Sequence, residues 1–145
     1  MSFQFPLATV LRVRGVVEER EERLLQQILA EIAQTQDALT HINAEILESD
    51  ALRHAEVFKT RAGHNIHAVY GRMNELKQNR KLIEEQLEKL EKLRDRQIAI
   101  YETARRNREM LTNMQDEKRS AYESDLARSE QKTIDDNFIA RRGRV

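Results

Sequence analysis

The sequence predicts an all-α chain: a long two-helix antiparallel coiled-coil hairpin with an overhanging C-terminal helix. Three observations carry this. Among 145 residues there are only 4 Gly and 1 Pro, too few turn formers for a chain that changes direction often. Charged residues make up 34% of the chain and aromatic residues 5%, which fits a solvated exterior around a narrow apolar seam better than a globular core. Apolar residues recur at alternating steps of three and four over most of the length, the a/d pattern of a coiled coil.

Helix one is expected at about residues 6–60. Pro6 suits a first helical turn, because its φ is already helical and its missing N–H costs nothing there. The seam runs through Leu25, Ile28, Ile32, Thr35, Leu39, Ile42 and Ile46. A turn is expected at about 61–65, where Arg61-Ala62-Gly63-His64-Asn65 holds the two residue types that best tolerate positive φ. Gly15 and Gly71 stand alone within periodic sequence and are expected inside helices. Helix two is expected at about 66–140. Its seam is Val69, Met73, Leu76, Arg80, Ile83, Leu87, Leu90, Arg94, Gln97, Tyr101, Ala104, Arg108 and Leu111. The whole chain, 1–145, reads as a single coiled-coil domain, with a basic tail at Arg141-Arg142-Gly143-Arg144-Val145.

The polar breaks in helix two suggest a register. If the turn is centred between His64 and Asn65, Leu39 meets Leu90, Ile42 meets Leu87 and Ile46 meets Ile83. Thr35 then faces Arg94, Ser49 faces Arg80 and Glu21 faces Arg108, while Gln97 faces Ile32. A slip of one heptad would set Arg94 against Ile42 or Ile28, and an unpaired guanidinium against isoleucine is costly. In the favoured register Leu7 meets Tyr122, so helix two outruns its partner from about Glu123. At 1.5 Å per residue, a helix of this size is on the order of 100 Å long.

Several function classes fall away. The chain has no cysteine, hence no disulfide framework, thiolate metal site or thiol nucleophile. Net charge is zero, and residues 1–72 and 73–145 carry 8 against 10 and 17 against 15 basic and acidic residues, so there is no nucleic-acid footprint. No apolar stretch is long enough to span a membrane, and the N-terminus has no signal-peptide pattern. There is no Gly-rich phosphate loop and no cleft in which carboxylates could be tuned for catalysis, so no catalytic residue, cofactor or enzyme activity is expected. Of the four histidines, His64 and His67 lie one turn apart, but no carboxylate completes a cluster with them, and no metal site is expected. Glu84, Glu85, Glu88, Lys89 and Lys92 read as a solvated face.

The two ends are less ordinary. Phe3-Gln4-Phe5-Pro6-Leu7 places two aromatics in an aromatic-poor chain, followed by Leu11 and Arg14. Glu130-Gln131-Lys132-Thr133-Ile134-Asp135-Asp136-Asn137-Phe138 lies on the expected overhang, with Ile134 and Phe138 one turn apart. Unpaired apolar residues on a lone helix point to a partner groove.

These ends resemble the FliJ family of flagellar export proteins and its injectisome counterparts of the YscO type. The opening aromatic-x-aromatic-x-Leu with a later Leu-x-x-Arg is matched by Phe3, Phe5, Leu7, Leu11 and Arg14. The closing Glu-Gln-Lys-x-x-Asp-Glu block is matched by Glu130, Gln131, Lys132 and Asp135, with Asp136 in place of the second acid. The likeness extends over the full chain in length and periodicity, but only the ends are specific.

The resemblance implies a non-enzymatic stalk whose termini enter the hexameric export ATPase and promote its assembly and activity. It implies a link to the cytoplasmic domain of the export-gate membrane protein, a role with export chaperones, and a cytoplasmic location peripheral to the inner membrane. The ATPase contact would use Phe5, Leu7, Leu11, Arg14, Glu130, Gln131, Lys132 and Asp135. The gate contact is expected at Tyr70, Met73 and Leu76, because Met73 and Leu76 face Glu56 and Arg53 in the favoured register and so lack apolar partners. Alone, the chain is expected to be a monomeric hairpin. The alternatives are an injectisome stalk and a general structural or chaperone rod. A prefoldin-like hairpin is disfavoured because residues 60–72 contain no β-alternating run.

Overall fold

In the computed structural model, residues 2–59 and 63–144 are described, with side chains described for 2–55 and 67–144. Two helices account for nearly all of them: α1, Ala8–Lys59, and α2, Gly63–Arg142. They pack against each other as a two-helix coiled-coil hairpin, with no strand among the described residues. The alternating seam is the physical reason. Every seam position named above from Leu25 to Ile46 on α1, and from Val69 to Leu111 on α2, is buried or half-buried, while most residues between them are exposed.

Helix α1 starts slightly later than Pro6. The Phe5 carbonyl accepts a hydrogen bond from Ala8 N at 3.1 Å, and the first helical bond runs from Leu11 N to the Leu7 carbonyl at 2.9 Å. Pro6 is therefore the second residue of a four-residue turn, where its fixed φ is equally at home. Helix α2 starts earlier than expected, because the backbone of residues 63–65 is already helical. The remainder of the expected turn, at 61 and 62, lies outside the described residues. At the far end, Gly143 N donates to the Ile139 carbonyl at 3.0 Å, closing the last turn of α2.

The chain divides into two compact units, Glu21–Ile100 and Met1–Arg20 with Tyr101–Val145. In the Glu21–Ile100 unit the core is Ile42, Ile46, Met73 and Leu76, with Leu39 and Ile83 packed against it. Ile32 and Leu90 are also buried. A side chain of this kind contributes roughly 1.5–3 kcal/mol when removed from water. Glu21 and Gln97 close the other end of this unit. The Gln97 amide donates to the Glu21 carboxylate at 2.5 Å and to its backbone carbonyl at 3.1 Å.

These contacts correct the expected register. Glu21 meets Gln97 rather than Arg108, and Met73 and Leu76 meet Ile42 and Ile46 rather than Glu56 and Arg53. Each partner on α2 lies nearer the bend, in the sense of a slip by about one heptad, which returns seam to seam.

The cost assigned to this register does not arise, because the arginines are not enclosed. Arg94 keeps a third of its side chain exposed and turns to Asp95 at 3.3 Å. Arg80, similarly exposed, lies 4.0 Å from Glu84 on its own helix. Their alkyl stems cover the seam while the charge stays wet. Thr35 is buried, yet it needs no cross-helix partner: its hydroxyl donates to the Glu31 carbonyl at 2.8 Å. Among the described residues no buried side-chain polar atom lacks a hydrogen-bond partner.

Gly15 and Gly71 sit inside the helices without positive φ, and a Cβ at either would meet nothing within 4 Å. Gly15→Ala and Gly71→Ala should each stabilise the protein by about 0.5–1 kcal/mol, measured by chemical denaturation. A destabilising result at either site would show that its glycine meets a constraint absent from this packing.

Candidate functional site

The candidate site lies in the unit formed by residues 1–20 and 101–145, where two differently built regions adjoin. The first is a clasp between the extended N-terminal residues and the end of the paired part of α2. The Phe3 ring packs against Tyr122, with centroids 5.6 Å apart and planes tilted by 47°. The Arg119 guanidinium stands over the Phe3 ring, 5.6 Å from its centroid, and the Lys118 ammonium lies 5.8 Å from the Phe5 ring. Phe5 is 7% exposed, the deepest apolar residue near the N-terminus. Such aromatic and cation–π contacts supplement area burial by about 0.5–1.5 kcal/mol each. Leu7 and Leu11 are half-buried, and Arg14 is exposed.

An ion pair follows. The Arg108 Nε–H donates to Glu18 Oε2 in a short contact, and Nη2 donates to Oε1 at 3.2 Å. This two-pronged hydrogen bond raises the Arg108 pKa above its ordinary value, although partial desolvation works the other way. A raised value of this kind means that the arginine's own charge contributes in full below its ordinary pKa. It is lost only as the pH climbs beyond it, so the arginine's ionisation adds no pH dependence near neutrality.

The second region is the unpaired helix. Every residue from Glu123 to Arg144 is exposed. The overhang thus begins where the sequence suggested, but for another reason: Phe3, in the non-helical lead-in, is what covers Tyr122. Glu130, Gln131, Lys132 and Asp135 all face solvent, and the Gln131 amide donates to Asp135 at 2.9 Å along the helix. Among them stand large apolar side chains, with Ile134 at 61%, Phe138 at 63% and Ile139 at 67% exposure. Ile134, Asn137, Phe138 and Arg141 line one shallow depression, and Ser129, Glu130, Thr133 and Ile134 line another. The Arg142 guanidinium rests 5.9 Å from the Phe138 ring. The segment thus presents exposed apolar side chains beside acids, amides and a cation.

The expected ATPase-facing residues therefore separate. Glu130, Gln131, Lys132, Asp135 and Arg14 are on the surface, whereas Phe5 is packed inside the clasp. Sequence reasoning missed Tyr122, Lys118 and Arg119 as the clasp's other half. The signal was present, since Tyr122 lies near the end of the paired seam and Phe3 and Phe5 are the chain's only N-terminal aromatics.

In the Glu21–Ile100 unit, the expected gate-facing residues also separate. Met73 and Leu76 are 5% and 7% exposed and belong to the core, because the observed register gives them Ile42 and Ile46 as partners. Tyr70 is 46% exposed, with the Arg53 guanidinium 5.5 Å from its ring. His67 is exposed, and the side chain of His64 lies outside the described residues. Among the described residues no three His, Cys, Asp or Glu side chains gather into a metal-binding group. No described helix is long and apolar enough to cross a membrane.

Fold and site together define a coiled-coil hairpin whose second helix runs on as an unpaired segment. A family model described as flagellar FliJ protein matches residues 3–144, and the chain belongs to that family. Membership places it in flagellar protein export. No curated protein and no solved structure matches the chain.

The clasp yields a direct test. Phe5→Ala should cost about 2–4 kcal/mol locally by removing a buried ring. Amide exchange at residues 8–14 should accelerate while that at residues 32–46 stays unchanged. Equal acceleration in both stretches would mean the clasp is not a separate local element.

Proposed function

We propose that this protein is the non-enzymatic central-stalk component of the flagellar type III export apparatus. Its unpaired α2 end engages the hexameric export ATPase and promotes ring assembly and activity. The hairpin body contacts the cytoplasmic domain of the export-gate membrane protein, so the chain works in the cytoplasm, peripheral to the inner membrane. Export chaperones are a further partner class.

The observation that carries this reading is the run from Glu123 to Arg144, exposed on every side yet bearing Ile134, Phe138 and Ile139. A solvated helix terminus does not need three large apolar side chains within two turns, but a helix that enters a partner's groove does. Glu130, Gln131, Lys132 and Asp135 would contact the ring directly, joined by Arg14. Phe5, Leu7 and Leu11 would hold the N-terminal lead-in against α2, so that the ring meets a braced helix rather than a loose one. On the gate side Tyr70 is the available contact, with Met73 and Leu76 supporting the helix beneath it.

A ring of like subunits around a single asymmetric stalk cannot contact it identically all round. Differential contact of that kind biases which subunit occupies which state, and this is how a protein without catalytic groups would alter the ATPase rate. A plain structural rod, the competing reading, leaves the apolar ridge on the overhang without a purpose.

Removing residues 127–145 should preserve the helicity of the paired part and abolish stimulation of the cognate ATPase. Stimulation that survives the truncation would remove the C-terminal segment from the contact. The purified chain alone should show no ATP turnover above a buffer blank, and turnover that co-purifies with it through successive columns would overturn the non-enzymatic assignment.

A further inference from the structure

The Glu21–Ile100 unit contains the elements of a two-state register switch. We infer that its helices have two registers one heptad apart, and that the Glu21–Gln97 hydrogen bonds hold the observed one. The inference concerns the hairpin alone and stands whether or not the stalk reading holds.

In the observed register Ile42 and Ile46 pack with Met73 and Leu76. The alternative is the longer register, in which Leu39 meets Leu90, Ile42 meets Leu87 and Ile46 meets Ile83. All six of these seam residues are aliphatic, so the slip exchanges one set of apolar layers for another. The polar layers improve in the longer register. Thr35 meets Arg94 and Ser49 meets Arg80, giving polar partners to arginines that now bond only to acids on their own helix.

The bend points the same way. The longer register centres it on Gly63-His64-Asn65, the residue types most tolerant of leaving a helix, yet that backbone is helical here. Helix α2 thus carries turn chemistry inside its first turn, as a segment with two uses would. The observed register keeps two advantages: Met73 and Leu76 are covered, and the buried Gln97 amide bonds Glu21 twice. In the longer register Gln97 instead faces Ile32, where an amide is unfavourable. Gln97 is therefore the residue that discriminates between the states. A slip of one heptad moves the facing positions by about 10 Å along the helix.

The test uses the absence of native cysteine, so that introduced labels are unique. Spin labels at Leu52 and Asn79, both exposed, should give a major long distance and a minor shorter one. Gln97→Leu removes the bonds to Glu21 and suits the Ile32 environment, so it should enlarge the shorter population at least several-fold. The cysteine pair Ile46→Cys with Ile83→Cys should form a disulfide on oxidation, faster in the Gln97→Leu background. Ile46→Cys with Leu90→Cys, a further heptad away, should not. Circular dichroism on each variant establishes that it remains helical. A single unshifted distance in helical Gln97→Leu protein would overturn the inference. So would crosslinking of the control pair at the same rate as Ile46→Cys with Ile83→Cys, since that would report fraying rather than a second register.

Discussion

Two helices cannot enclose a side chain, and the rest of this structure follows from that constraint. Each seam residue is covered by the opposing helix on one side only, and among the described residues no large side chain is fully buried. The molecule is therefore held by many partial burials in series rather than by a few deep ones. Each layer excludes some water, and adjacent layers are nearly independent. A narrow seam of this kind needs an unbroken three-and-four spacing, because a single missing layer has no second shell to compensate for it.

The same openness explains how polar residues sit in the seam without disrupting it. In a globular core Arg80 and Arg94 would require ion-pair partners and would pay heavily for desolvation. Here each lies over the seam with its guanidinium turned out to an acid on its own helix. Thr35 resolves its hydroxyl within one turn of α1. Glu21 and Gln97 meet across the helices as a buried polar pair, and that contact is specific where most of the seam is permissive. Glu18 and Arg108, in the other unit, form a second cross-helix polar pair under partial cover.

The paired and unpaired parts of α2 contrast sharply in how much of their surface is covered. Up to Tyr122 the helix has a partner, first α1 and then the aromatic lead-in at Phe3 and Phe5. Beyond it the helix stands alone, yet keeps Ile134, Phe138 and Ile139 on its surface. Membership of the flagellar FliJ family places the protein in flagellar protein export. The clasp matters because it sets where support ends and the free surface begins.

The sequence by itself determined the helical class and the identity of the seam residues. Those depend on local spacing and on the scarcity of Gly and Pro, both visible without any partner. From Leu25 to Leu111, the seam positions read from spacing are all buried or half-buried in the structure. The exposed block at Glu130, Gln131, Lys132 and Asp135 was equally legible, since residues beyond the paired seam have nothing to bury them. Only the tertiary structure decided the register, and with it the core role of Met73 and Leu76 and the packing of Phe5 beneath Lys118. The physical reason is the repeat itself. A heptad pattern matches itself after every shift of seven residues, so spacing cannot choose among registers; cross-helix contacts such as Glu21 with Gln97 can.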